Sequence, residues 1–268
     1  MPIYHQIEQR SARWHRLRLG IPTASNFDRI VTPKGKLSSQ APAYMHRLLA
    51  ELMVGRVIED TPYQSEWMER GERLEEGARQ AFTLITGVEV RPGGFVTVES
   101  GRYGCSPDGL TDDSGLELKI PKLLTHVGYM LDPASLLEGY APQVQGCMMI
   151  CERDTWHVCS YHDEVQPVIV KAKRDDKYIT VLRDSLEAFC DTTVACRLKL
   201  EQTYGPFPEP KEFAPGAQCD TCPASYEVNL IGTPCQCGGL IVARDDPGAL
   251  GAQMADLDWR GPDFEVTL

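Results

Sequence analysis

The chain has 268 residues, of which 42% are hydrophobic and 24% charged, and its formal net charge is −11. That length suffices for one large domain, or for one of about 200 residues with a small appendage. No apolar run approaches the roughly 20 residues that cross a bilayer, and the N-terminus lacks the basic-then-apolar layout of a signal peptide, so a cytoplasmic protein with no membrane partner is expected.

The negative charge argues at first against a polyanionic partner, but it is unevenly spread. Residues 1–50 carry Arg10, Arg13, Arg16, Arg18, Arg29, Lys34, Lys36 and Arg47 against only Glu8 and Asp28. A local basic face of this kind can bind phosphates while the rest of the chain stays acidic; taken alone it also fits a solvated basic helix. Pro22-Thr23-Ala24-Ser25 reads as a break and a helix start with Thr23 or Ser25 as cap. A helix N-terminus beside Arg18 would suit an anion.

Residues 42–55 have the pattern of a helix closed by glycine. Residues 61–87 carry a second helix, with Trp67, Met68, Leu74, Ala78, Ala81, Phe82 and Ile85 on its apolar side and Arg70 to Glu76 on its charged side. Strands are expected over residues 88–90, 94–98, 104–106 and 116–120. After Pro121 a long irregular link is expected, then a helix from Tyr140 to Cys151, strands over 155–161 and 167–171, and a long helix over 175–200. This order predicts an α/β domain with a central mixed β-sheet flanked by helices.

The most informative stretch is Ser106-Pro107-Asp108-Gly109-Leu110 followed by Leu116-Glu117-Leu118-Lys119-Ile120. On a strand Glu117 and Lys119 share one face, while Leu116, Leu118 and Ile120 face a core. The turn-rich segment between the two can return the chain so that Asp108 lies beside Glu117. Two carboxylates and the Leu118 carbonyl then offer hard oxygens to Mg²⁺, and Lys119 stands where a water attacking a phosphate would be held or deprotonated. A Glu-x-Lys pair by itself is equally a solvated ion pair on a strand face. With the Asp108 turn it outlines a phosphodiester hydrolase.

Ten cysteines without an export signal argue against a disulfide framework. Cys105, Cys147, Cys151, Cys159, Cys190 and Cys196 are scattered and read as buried apolar residues or free thiols. Beyond a proline-rich linker (204–218), Cys219-x-x-Cys222 and Cys235-x-Cys237-Gly-Gly form a small four-cysteine zinc-ribbon-like module (219–242). So short a module has too little core to fold unaided, so structural Zn²⁺ is expected, with an iron–sulfur cluster or free thiols as alternatives. Residues 243–268 read as a flexible acidic tail.

Four stretches in order resemble the phage lambda exonuclease / YqaJ-like viral recombinase family of PD-(D/E)xK nucleases: Trp14-His15-Arg16-Leu17-Arg18-Leu19-Gly20-Ile21-Pro22-Thr23-Ala24-Ser25, Gly71-Glu72-Arg73-Leu74-Glu75, the Asp108/Glu117/Lys119 stretch, and Tyr140-Ala141-Pro142-Gln143-Val144-Gln145. The resemblance implies a restriction-endonuclease-like core over residues 1–203. It implies Mg²⁺ (or Mn²⁺) on Asp108, Glu117, the Leu118 carbonyl and Glu75, with Lys119 on the attacking water and Gln143 near the reacting strand. It implies Arg18 and Ser25 as receivers of a 5′-phosphate. Family members often carry an aromatic four residues beyond the glutamine, where this chain has Cys147. The implied activity is 5′–3′ digestion of one strand of double-stranded DNA from its ends, for phage-type recombination in a bacterial or phage-infected cell. A ring-shaped homotrimer and a single-strand annealing protein are the implied partners. Alternatives are a structure- or sequence-specific endonuclease on the same core, or a non-catalytic DNA-binding adaptor.

Overall fold

Strand alternation and helix periodicity account for most of the elements of this computed structural model, which describes residues 1–58, 66–208, 217–219, 225–226 and 241–243. The chain divides into two compact units, Met1–Pro210 and Lys211–Leu268. In the first, β1 (Ile3–His5), β2 (Phe95–Thr97) and β3 (Gly104–Cys105) form an antiparallel sheet. A second sheet has the order β4 (Gly109–Leu110), β5 (Ser114–Lys119), β6 (Thr155–His162), β7 (Val165–Lys173). It is mixed, because β5 and β6 run parallel while β4–β5 and β6–β7 are antiparallel.

The helices are α1 (Ala12–Arg18), α2 (Ala41–Val54), α3 (Glu66–Thr86), α4 (Leu123–Leu131), α5 (Pro133–Gly139), α6 (Ala141–Cys151) and α7 (Asp176–Tyr204). A 3₁₀ turn, Ala24–Arg29, follows α1. On one face of the mixed sheet Leu116, Leu118 and Cys159 meet Ala78 and Phe82 of α3. The larger core joins Trp156 and Val158 to Val144 and Met148 of α6, Phe27 of the 3₁₀ turn, and Ile179, Leu182 and Leu186 of α7. Gly115 sits directly under the indole of Trp156, where any Cβ would collide with the ring, so β5 and β6 can lie flush there.

The sequence misleads most between residues 121 and 140. The irregular link expected there is two helices, α4 and α5. Parallel neighbours such as β5 and β6 need a crossover connection, and helices are its usual form. Pro133 occupies the first turn of α5, where a missing N–H costs nothing. His126 is fully buried on α4 and ties it to the sheet through Ser160 Oγ (2.7 Å) and the Gln166 carbonyl (2.9 Å). Two smaller differences concern the first half. Residues 88–90 are not a strand; Val88 and Val90 pack on the α3 core, and only Arg91 bridges to Leu110. The expected helix at Thr23 is only the 3₁₀ turn, and Thr23 makes no side-chain cap there.

In the second unit, strands Ala217–Cys219, Ser225–Tyr226 and Ile241–Ala243 pair antiparallel, with the first in the middle. Cys219 ends the central strand; Cys222, Cys235, Cys237, most of the expected linker and all of the acidic tail after Ala243 lie outside the described residues. Among the described residues no helix is long and apolar enough to cross a membrane.

Candidate active site

β5 and the turn before it build the centre of the site. Leu116 and Leu118 fill the core against α3, so alternation sends Glu117 and Lys119 to the opposite face, toward α6. The turn is held from three sides. Gln9 Nε2 donates to the Pro107 carbonyl at 2.7 Å, Gly93 approaches Pro107 too closely to carry a side chain, and Arg79 donates to the Asp108 carbonyl at 3.3 and 3.2 Å. Thus fixed, Asp108 turns its carboxylate onto β5, where the Leu118 N–H donates to Oδ2 at 2.6 Å.

Four side chains converge there. Lys119 Nζ donates to Glu117 Oε1 at 2.7 Å and to Gln143 Oε1 at 2.9 Å, and Gln143 Nε2 donates to Glu117 Oε1 at 2.6 Å. Glu117 is almost wholly buried, and its second oxygen, Oε2, has no hydrogen-bond partner. Burial, the charge of Glu117 and, less strongly, that of Glu75 push the Asp108 pKa well up, although the Leu118 N–H and Lys119 pull the other way. Burial lowers the pKa of Lys119, but Glu117, Asp108 and Tyr140 together outweigh burial and leave it above the ordinary lysine value. Two buried carboxyl groups thus share a single ammonium. An orphaned buried carboxylate oxygen beside a carboxyl raised by its neighbours suits a hard divalent cation.

Glu75 is not drawn into that group. Arg10 Nη2 binds its Oε2 at 2.7 Å and Arg79 Nη2 its Oε1 at 3.0 Å. Among the described residues no three acidic, histidine or cysteine side chains already converge on one metal position.

The other half of the site carries the opposite charge. The Arg18 guanidinium stacks over the Trp14 ring, 3.9 Å from its centroid. Arg18 Nη1 and Trp14 Nε1 both donate to Ser106 Oγ at 2.9 Å, and Arg18 Nη2 reaches Thr23 Oγ1 at 3.5 Å. Thr23 Oγ1 lies 3.4 Å from the exposed Ser25 Oγ. Burial pulls the Arg18 pKa down to about 10, which still leaves it charged at neutral pH. Ser106 accepts two hydrogen bonds with its oxygen, so its own O–H remains for a further acceptor. Only Pro107 separates Ser106 from Asp108, so the cationic and anionic halves adjoin.

The sequence reading missed Trp14, Ser106 and Arg79 as parts of this site, and also Tyr140, whose ring faces Lys119 Nζ at 4.3 Å. All four act through contacts remote in sequence; only their places within or beside the four family stretches signal them.

Residues 13–154, just over half of the chain, match the YqaJ-like viral recombinase domain. The chain belongs to that family. The matched span includes both halves of the site. Among solved structures the alkaline exonuclease LHK-Exo from Laribacter hongkongensis is similar, with a TM-score of 0.65 and 26% identity over 72% of this chain and 97% of that one. LHK-Exo in complex with dAMP gives the same TM-score at 27% identity, with the same coverage. A phage related exonuclease from Haemophilus somnus 129PT shares the fold at a TM-score of 0.55 and 14% identity, over 67% of this chain and 96% of that one. No curated protein matches.

Proposed function

We propose that this member of the YqaJ-like family is a Mg²⁺-dependent exonuclease that digests one strand of double-stranded DNA from its 5′ end and serves phage-type recombination. The observation that carries the reading is the buried Glu117, with Oε2 unpartnered and Oε1 gripped by Lys119 and Gln143, beside Asp108. Asp108, Glu117 and the Leu118 carbonyl would hold Mg²⁺ (or Mn²⁺), with Glu75 released to them from Arg10 and Arg79. Bound there, the cation supplies charge neutralisation at the scissile phosphate and an activated water.

The remaining work falls to side chains. Lys119 presents an N–H from a fixed position and holds the attacking water in line with the phosphate. Gln143 keeps Lys119 and Glu117 in register. Arg18, Ser106 and Ser25 receive the terminal 5′-phosphate, and the short Ser106–Asp108 link sets the distance from chain end to scissile bond. The similarity to LHK-Exo, an alkaline exonuclease whose structure is known with dAMP, supports a nucleotide-releasing reaction. A homotrimeric ring, an annealing-protein partner, and Zn²⁺ on Cys219, Cys222, Cys235 and Cys237 belong to the same reading. Sedimentation, pull-down with such a protein and metal analysis test them separately.

The deciding experiment is a time course on end-labelled linear duplex and on covalently closed circular duplex, with and without Mg²⁺. The reading expects mononucleotides from the 5′-labelled linear strand with Mg²⁺ only, and an untouched circle. Cutting of the circle would make the protein an endonuclease. Binding without cleavage would make it an adaptor.

A further inference from the structure

Lys119 has a neighbour to which the cleavage chemistry gives no task. Its ammonium faces the ring of Tyr140, 4.3 Å from the centroid, while two of its donors go to Glu117 Oε1 and Gln143 Oε1. Tyr140 is the N-cap residue of α6, yet its side chain makes no capping hydrogen bond. Its backbone alone does that work, the carbonyl accepting from the Val144 N–H at 2.9 Å. Tyr140 and Gln143 stand three residues apart at the start of one helix, the spacing that puts side chains on a common face. Both therefore address the same ammonium. The Tyr140 phenol meets that of Tyr129 on α4, whose pKa is pushed up by burial and by the charge and side-chain hydrogen bond of Tyr140.

The arrangement answers a physical problem. A lysine head on a flexible stem loses considerable rotamer entropy when fixed, and one carboxylate would draw it down onto itself. The negative face of an aromatic ring attracts a cation without offering it a proton acceptor, most strongly where water is excluded. The ring thus holds the ammonium from a third side and leaves its last N–H for something else. We propose that Tyr140 is a positioning residue of the cleavage site, its ring face keeping the Lys119 ammonium where it grips the attacking water. The role rests on the nuclease reading of this site. It differs from the packing of Tyr140 against the main core, which depends on the ring's shape alone.

Fluorinated phenylalanines separate the two, because fluorine drains the ring face of negative potential with little change of shape. Tyr140→Phe and its mono-, di- and pentafluoro analogues are compared in steady-state digestion, and the Lys119 ammonium and ε-methylene signals are followed by NMR in the wild type, Tyr140→Phe and Tyr140→Leu. From the strength of desolvated cation–π contacts, Tyr140→Phe should keep kcat within about twofold and the pentafluoro ring should lower it about tenfold, with KM for duplex unchanged. The Lys119 signals should be shifted upfield by the ring in the wild type and in Tyr140→Phe, and return toward ordinary lysine positions in Tyr140→Leu. A flat kcat across the fluorine series overturns the proposal, as does a Lys119 signal with no ring shift in the wild type. A ring-shifted Lys119 in a protein that digests no DNA supports the placement and overturns the nuclease reading alone.

Discussion

Two clusters meet at Pro107 and differ in almost every respect. On one side Asp108, Glu117, Lys119 and Gln143 sit on a sheet strand, the turn before it and a helix, with two buried carboxyl groups to one ammonium and one carboxylate oxygen unpartnered. On the other Arg18 lies among Trp14, Thr23 and Ser106, all neutral, and its hydrogen bonds go to the hydroxyls of Ser106 and Thr23 rather than to a carboxylate. The first is short of a cation and the second of an anion. On the proposed function, a 5′-phosphorylated strand bound with a divalent metal would supply both.

The comparison can be broken from either side. The largest effect belongs to Lys119→Ala, which removes the group proposed to hold the nucleophile. Digestion should fall by at least about a hundredfold, the scale on which one preorganised donor contributes, while gel-shift affinity for duplex stays close to wild type. Normal turnover would take Lys119 out of the chemistry. Next comes Arg18→Ala, for which the preference for 5′-phosphorylated over 5′-hydroxyl ends should drop about tenfold, the worth of one charge-assisted hydrogen bond. Equal loss on both kinds of end would count against a phosphate site. Ser25→Ala, an exposed hydroxyl at the edge of that cluster, should weaken the same preference only about threefold, the scale of one neutral hydrogen bond.

A smaller and more diagnostic effect appears in stability. Burial and the charge of Glu117 raise the Asp108 pKa in the folded protein. A carboxyl raised on folding favours the folded state below its unfolded pKa, about 3.9, and that contribution is lost as pH rises through the folded value. Metal-free wild type should therefore lose melting temperature as pH rises through that range, and Asp108→Asn, which keeps an acceptor for the Leu118 N–H, should not. Near neutral pH the metal-free variant should melt above wild type. Mg²⁺ should then stabilise wild type only. Parallel pH profiles of the two proteins would remove Asp108 from the strained cluster.

The two clusters also differ in how far they can be read from the sequence. Glu117 and Lys119 share a face through strand alternation, a local rule, and the Pro/Gly turn announces Asp108. The Arg18 cluster is spread over residues 14, 18, 23, 25 and 106; the helix start expected beside Arg18 and the family resemblance point to Arg18 and Ser25, but no local rule brings Ser106 to them. Gln143 likewise reaches Lys119 from beyond α4 and α5. What periodicity could not supply was the helices within that connection, because Pro133 and the glycines of α4 and α5 read as breaks when they fall at or near helix starts and ends. Nor could it show that Glu75 is held by Arg10 and Arg79, since a charged residue on a solvent-facing helix side gives no sign of its partner.

The central claim is that the carboxyl groups of Asp108 and Glu117 take up a divalent cation, and Mn²⁺ titration followed by electron paramagnetic resonance tests it without any DNA. Wild type should bind one Mn²⁺ that Mg²⁺ displaces, and Glu117→Gln should lose it while its fold, followed by circular dichroism, is retained. Unchanged Mn²⁺ binding by Glu117→Gln would contradict the account.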